Sequence, residues 1–198
     1  MYNRIRFNQA CGLLLFAGLL SIACGLQAQE TFTGDRVPVL KVYEQDQLLN
    51  IALPLGGIGT GTVSLGGRGE LRDWEIMNVP GKGYNTVVKG NDAPFFAIYT
   101  QDEQGSSFTK ALLGPLDDAE YQHMEGRSVN HHGLPRFRSA TFSTSYPFGL
   151  VNLSDPGMPV QVRILGFNPL IPGDADASGI PIAILQYEVE NLTEGELR

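Results

Sequence analysis

Cysteine is almost missing from this sequence. The two that occur, Cys11 and Cys24, both lie in an apolar N-terminal stretch, and cleavage after Ala28 removes them together. What remains then has no disulfide, no zinc–thiolate site and no cysteine nucleophile. Such a domain is stabilised by its core alone, and the roughly 170 residues after Ala28 bury about 70% of their unfolded surface, enough for one domain. Histidine is nearly as scarce, with His123, His131 and His132 the full set. Adjacent histidines on an extended chain point to opposite sides, and no further ligand stands at helical spacing from either, so the pattern supplies no metal site. Basic residues are outnumbered, 14 against 21 acidic. Loss of Arg4 and Arg6 with residues 1–28 leaves 12 against 21, a net charge of −9. A field of that sign attracts neither nucleic acid nor an anionic membrane surface, which excludes nucleic acid as a partner. Sustained helical periodicity, internal repeats, low-complexity tracts and linkers are absent too.

The N-terminus carries its own pattern. Met1 to Phe7 holds Arg4 and Arg6 and no acid, "CGLLLFAGLLSIACGL" is uncharged, and "LQA" precedes a polar stretch. A basic start, a short apolar run and small residues make a secretory signal peptide over residues 1–28. The run falls short of the ~20 residues that span a bilayer. A lipid anchor at Cys24 is the competing route, although Ser21 stands three residues before it where that signal carries leucine, and Leu20 lies one further back. Either route takes the chain out of the cytoplasm, to the periplasm, the cell surface or the medium. Membrane contact is expected only through this segment or that anchor.

Glycine and proline punctuate the rest, and several stretches alternate at period two. "PVQVRILGF" places Val160, Val162 and Ile164 on one face against Gln161 and Arg163. "IAILQYEVEN" places Ala183, Leu185, Tyr187 and Val189 against Gln186, Glu188 and Glu190. "PFFAIYT", "SFTKALL" and "RFRSATFSTS" are rich in β-branched and aromatic residues. Short strands between turn residues predict an all-β, mainly antiparallel sandwich over residues 29–198. Gly114 to Pro135 reads as an elaborated loop. "EVEN" runs into the polar turn "LTEGE" and then "LR", the pattern of a hairpin whose second strand has just begun. The expectation is a sandwich cut short at its C-terminus, since a stable one leaves no half-formed edge.

"LPLGGIGTGTVSLGGRGELRDWEIMNVPGKG", Leu53 to Gly83, is the densest glycine stretch. A dinucleotide loop needs G-x-G-x-x-G between a strand and a helix. Thr62 stands at the third glycine when the count begins at Gly57, and Ser64 when it begins at Gly59. "TVSL" and another turn follow, with no helix and no Gly-Lys-Ser/Thr. The hairpin reading fits: "GTVSL" and "ELRDWEIMN" are strands joined by "GGRG", a turn that needs positive φ, and Gly56 to Gly61 permit bulges or close backbone approach. On a regular strand Arg72, Trp74 and Ile76 face one way, and Leu71, Asp73 and Glu75 the other. Two carboxyl groups about 5 Å apart serve retaining glycosidases, so Asp73 with Glu75 is a candidate pair. Carboxylates beside Arg68 and Arg72 more often form a satisfied network. Trp74 is a candidate stacking surface for a sugar, against the plainer reading of a half-buried strand tryptophan. "NLS" at Asn152 and "NLT" at Asn191 match the glycosylation sequon, a triplet frequent by chance.

The stretch from Leu53 to Gly83 resembles the opening of the N-terminal domain of glycoside hydrolase family 116, the family of non-lysosomal glucosylceramidase and bacterial β-glucosidases. "YPFGLVNLSDPGMPVQVRILGFNPLIPGDADASGIPIAILQYEVEN", Tyr146 to Asn191, is similar to a later part of the same domain. The resemblance runs from about Leu49 to the end of the chain. It implies a β-sandwich followed by a helical barrel that carries a glutamate nucleophile and an aspartate acid/base for retaining cleavage of β-glucosides or glucosylceramide-like substrates, without metal or organic cofactor. No segment here corresponds to that barrel, so no catalytic residue is assigned in this chain. The implied partners are the enzyme's own C-terminal barrel and, through the whole enzyme, a carbohydrate or glycolipid. Arg68, Glu70, Arg72 and Trp74 then become substrate or domain contacts. The rival readings are a complete secreted carbohydrate-binding sandwich and a structural module beside a separately encoded barrel.

Overall fold

The computed structural model of the chain describes residues 40–82, 94–121 and 131–198. The signal-peptide assignment to residues 1–28 and His123 lie outside the described residues. The strands are β1 (Lys41–Tyr43), β2 (Ala52–Leu55), β3 (Thr62–Gly66), β4 (Leu71–Glu75), β5 (Ala97–Gln101), β6 (Ser107–Ala111), β7 (Ser139–Ser145), β8 (Phe148–Ser154), β9 (Val160–Phe167) and β10 (Ile184–Asn191). Two single-turn helices, α1 (Asp118–Tyr121) and α2 (Ala175–Ser178), interrupt them. Among the described residues the strands pair antiparallel, in a five-stranded sheet ordered β1-β7-β8-β9-β10, a three-stranded sheet β2-β3-β4 and the β5-β6 hairpin, with one isolated parallel bridge between Ala111 and Arg136.

The alternation read from the sequence is the alternation that packs. Phe142 faces Val151 and Ala140 faces Leu153 across β7 and β8. Val151 faces Ile164 and Leu153 faces Val162 across β8 and β9. These six side chains are buried, and Leu53 and Leu55 of β2 and Val63 and Leu65 of β3 meet them from the second layer. Each of these side chains larger than Ala140 gains about 1.5–3 kcal/mol relative to exposure. Gly149 and Gly166 pair in register within this face. A Cβ on Gly149 would lie 2.7 Å from Leu53 Cδ2, and one on Gly166 2.9 Å from Leu65 Cδ2. The glycine pair is thus the hollow in which the β2 and β3 leucines seat, and it fixes how the two layers approach.

The C-terminal return departs from the hairpin expected of it. Beyond the turn held by the Asn191 and Thr193 side chains, residues 196–198 do not fold back along β10. Arg198 N–H donates to Gln101 C=O (3.0 Å) and Gln101 N–H to Arg198 C=O (2.8 Å), so the chain crosses to β5 of the separate β5–β6 hairpin. Leu197 supplies the reason, because it packs against the buried core.

Candidate functional site

The β3–β4 hairpin is where the sequence concentrates its charge. Its turn forms as expected: Gly69 N–H donates to Gly66 C=O (3.1 Å) and Gly66 N–H to Glu70 C=O (2.8 Å), with Gly69 at φ 90°. Three loop residues ending in a left-handed glycine are a common hairpin closure. The turn carries Arg68 inward, to 6% exposure. Its guanidinium forks onto Glu120 of α1, Nη1 to Oε2 and Nη2 to Oε1 at 2.9 Å, and Nη2 also donates to Glu70 Oε1 at 3.2 Å. Its carbonyl accepts from Gly114 N–H at 2.8 Å.

Electrostatics match that geometry. Burial disfavours the Arg68 charge, but the Glu120 hydrogen bond and the Glu70 and Glu120 charges outweigh it and raise its pKa. Burial likewise opposes the Glu120 carboxylate. The Arg68 hydrogen bond, the Asp117 N–H and the Arg68 and Arg136 charges outweigh that and hold it below the usual glutamate value. Arg72 donates Nη1 to Leu49 C=O at 2.7 Å, and its Nε lies 3.5 Å from Asp73 Oδ1. The structure therefore gathers Arg68, Glu70 and Arg72 into one network and adds Glu120. Sequence reading had no means to find Glu120, which stands 52 positions from Arg68.

Trp74 belongs to a different environment, and here the facing read from the sequence is corrected. Thr62 pairs with Glu75 and Ser64 with Arg72, with a register shift between, so Val63 is opposed by both Asp73 and Trp74. This is a β-bulge, and Asp73 takes φ 52° and is buried beside Arg72. The inserted residue moves Trp74 to the side of Leu71: Leu71, Trp74 and Ile76 line one cavity, and Arg72 does not. Asp73 and Glu75 are not a free pair, because Glu75 accepts from Gly81 N–H (3.4 Å) and Lys82 Nζ (3.4 Å).

That cavity, about 500 Å³, lies between the β3–β4 hairpin and β10, with Leu185 and Tyr187 on its far wall and Phe96 beside them. The Phe96 and Tyr187 ring centroids are 5.2 Å apart. Burial pushes the Tyr187 hydroxyl up to about 12. The Trp74 indole N–H is engaged by Leu71 C=O (3.3 Å), and the Thr60 hydroxyl by Gly57 C=O (2.7 Å). The lining is thus chiefly hydrocarbon and aromatic, with few convergent polar groups.

The glycines before β3 serve close backbone approach. A Cβ on Gly57 would lie 2.4 Å from Ile180 C=O oxygen, Ile58 N–H donates to Ser178 C=O at 2.9 Å, and Asn168 Nδ2 donates to Gly56 C=O at 3.1 Å. The backbone of Gly56 to Ile58 is thus engaged by the segment from 168 to 182 rather than held open as a phosphate cradle. His131 stacks near Phe95, centroids 4.7 Å apart. Among the described residues, no group of three His, Cys, Asp or Glu side chains is placed to hold a metal ion. Residues 52–198 match the family described as beta-glucosidase 2, glycosyl-hydrolase family 116 N-term.

Proposed function

From a chain that belongs to the N-terminal domain family of glycoside hydrolase family 116, we propose that this sandwich is the non-catalytic front of an exported enzyme cleaving β-glucosides or glucosylceramide-like substrates with retention. The catalytic glutamate and aspartate belong to a helical barrel outside the described residues. Export runs through the signal peptide at residues 1–28, or through a lipid anchor at Cys24.

One observation carries the division of labour: the hairpin's carboxylates are bound to partners. A retaining pair needs one nucleophile free to attack and one carboxyl protonated at working pH, about 5–5.5 Å apart. Here Glu70 and Glu120 are held by Arg68, Asp73 by Arg72 and Glu75 by Lys82. The Glu120 pKa moves downward, opposite to what a general acid requires. Purified residues 29–198 are therefore expected to release no aryl alcohol from an aryl β-glucoside, and the full-length gene product to release it. Turnover by residues 29–198 that falls on Glu70→Gln or Glu75→Gln would refute the reading.

A carbohydrate-binding sandwich that uses Trp74 is the second reading, favoured by the place of Trp74 in a cavity wall. It requires sugar affinity that disappears in Trp74→Ala. Isothermal titration with glucose and cellobiose separates it from the first.

A further inference from the structure

The five-stranded sheet has two ends, and they differ. At one end β1 is three residues long and carries Lys41, a short charged edge of the kind that discourages pairing. At the other end stands β10, eight residues in unbroken register with β9. It contains no proline, no lysine and no bulge.

The direction of its unpaired groups follows from one bond. Leu192 N–H donates to Pro159 C=O at 2.9 Å. Antiparallel strands alternate in the side to which they present N–H and C=O, so Ile184, Gln186, Glu188 and Glu190 also bond towards β9. Leu185, Tyr187 and Val189 turn theirs to the open side, where no strand is paired among the described residues. Apolar side chains are exposed along this edge, Ile184 at 41% and Val189 at 53%, with Leu192 just beyond the strand at 56%. Beside it the cavity between Trp74 and Tyr187 opens. On the outer face Glu188 is bridged to Arg163 of β9 at 3.1 Å and accepts from Gln186 Nε2 at 3.1 Å, while Glu190 is exposed and Glu194 and Glu196 follow.

We propose that the open edge of β10 receives one further β-strand of the parent hydrolase, a strand with apolar residues at alternate positions and basic residues between them. This rests on the hydrolase reading above. Its apolar side chains continue the row of Leu185, Tyr187 and Val189 towards the cavity, and its basic ones lie over the exposed Glu190 and beside the Glu188–Arg163 pair. Charge selects this occupant over a second copy, because two β10 edges bring Glu190, Glu194 and Glu196 of each copy together in a chain of net charge −7.

The chain's one tryptophan, Trp74, lines the cavity, so its fluorescence reports occupancy. An octapeptide alternating valine and lysine is expected to shift that emission saturably, and one alternating valine and glutamate to bind about tenfold more weakly, as reversal of two or three cross-strand charge pairs requires. Val189→Pro removes an outward N–H without touching the β9 ladder and is expected to abolish binding of the basic peptide. Should that variant fail to fold, Val189→Lys, which places a charge in the apolar row, reads the same property. In the full-length hydrolase the amides of Leu185, Tyr187 and Val189 are expected to be protected from hydrogen exchange, and in this chain alone to exchange. Equal binding of both peptides, no binding of either, a dimer that Val189→Pro dissolves, or unprotected amides in the full-length protein would each overturn the proposal. None of these readouts uses catalysis, so an inactive full-length protein would defeat the hydrolase reading separately.

Discussion

Arg68→Ala isolates the hairpin network. The Arg68 side chain is 7% exposed and holds Glu70 and Glu120, which are 22% and 19% exposed. Removing it leaves two mostly buried carboxylates facing each other with only the longer 3.9 Å approach of Arg72 to Glu70 and the Arg136 charge near Glu120. Breaking a buried pair from one side costs ~3–5 kcal/mol, and the residual exposure of both glutamates places this case at the low end, about 3 kcal/mol. In a domain of this size each kcal/mol moves the melting temperature by ~2–4 °C, so the expected fall is about 6–12 °C near neutral pH. The pH dependence has a definite sign. In the native protein Glu120 is held below its ordinary 4.5, so its contribution is present above that value and is lost as pH falls through the folded pKa. Without Arg68, burial of Glu120 is opposed only by the Asp117 N–H and the Arg136 charge, so its pKa rises relative to the parent and the variant is penalised most where the carboxylate is charged. The gap between variant and parent is therefore expected to be widest near neutral pH and to narrow below 4.5. Calorimetric melts across that range test it, with Arg68→Ala/Glu120→Gln expected to recover more than half of the loss. A single variant that melts within about 2 °C of the parent at neutral pH, or a gap that widens on acidification, would refute the reasoning.

Gly57→Ala places a Cβ 2.4 Å from the Ile180 carbonyl oxygen and 2.6 Å from Gly179 C, backbone that cannot yield locally. Urea unfolding is expected to show a loss of about 3 kcal/mol, the upper end for overpacking, while Gly133→Ala, with nothing within 4 Å, stays near neutral. Asp155, its side chain fully buried, is bound by Lys110 and by Gly157 N–H at 2.7 Å. Burial opposes its charge, but these partners outweigh it and hold its pKa below 3.8, so its stabilisation is present above that value and is lost as pH falls further. Asp155→Asn is expected to flatten the stability profile below about pH 4 in acid titrations followed by circular dichroism. Tyr187, pushed up to about 12 from 10.0 by burial, contributes stability that is present below 10.0 and is lost as pH rises towards 12. An ultraviolet titration is expected to show one late-ionising tyrosine that Tyr187→Phe removes.

What the sequence made legible was set by local periodicity. The inward row of β9 follows from side chains spaced two apart, as do Leu185 and Tyr187 of β10, although Ala183 and Val189 of the same expected row are exposed. The turn at Gly69 follows from the need for positive φ. The facing of Trp74 was not legible, because one inserted residue at Asp73 reverses everything after it, and nothing in "LRDWE" marks aspartate as the residue that accepts a left-handed conformation. Glu120 was equally hidden. Its pairing with Arg68 is made by the fold that brings α1 beside the hairpin, and neither residue's neighbours encode that approach. The same holds for the return of residues 196–198. Local pattern indicated a strand beginning, but its partner was decided by where Leu197 finds apolar contact.

That return has a consequence for the order in which the molecule is made. Lys41, in β1, pairs with Thr144 in β7, β2 packs against β9, and Gln101 joins Arg198. Each early strand thus waits for one synthesised much later, and closing such long loops is slow compared with forming local turns. While the ribosome is still translating β9, Leu53, Leu55 and Leu65 have no face to cover them. The two layers can close only after β9 has been made, so until then the apolar face of the β2–β4 sheet is a surface that other nascent chains can bind.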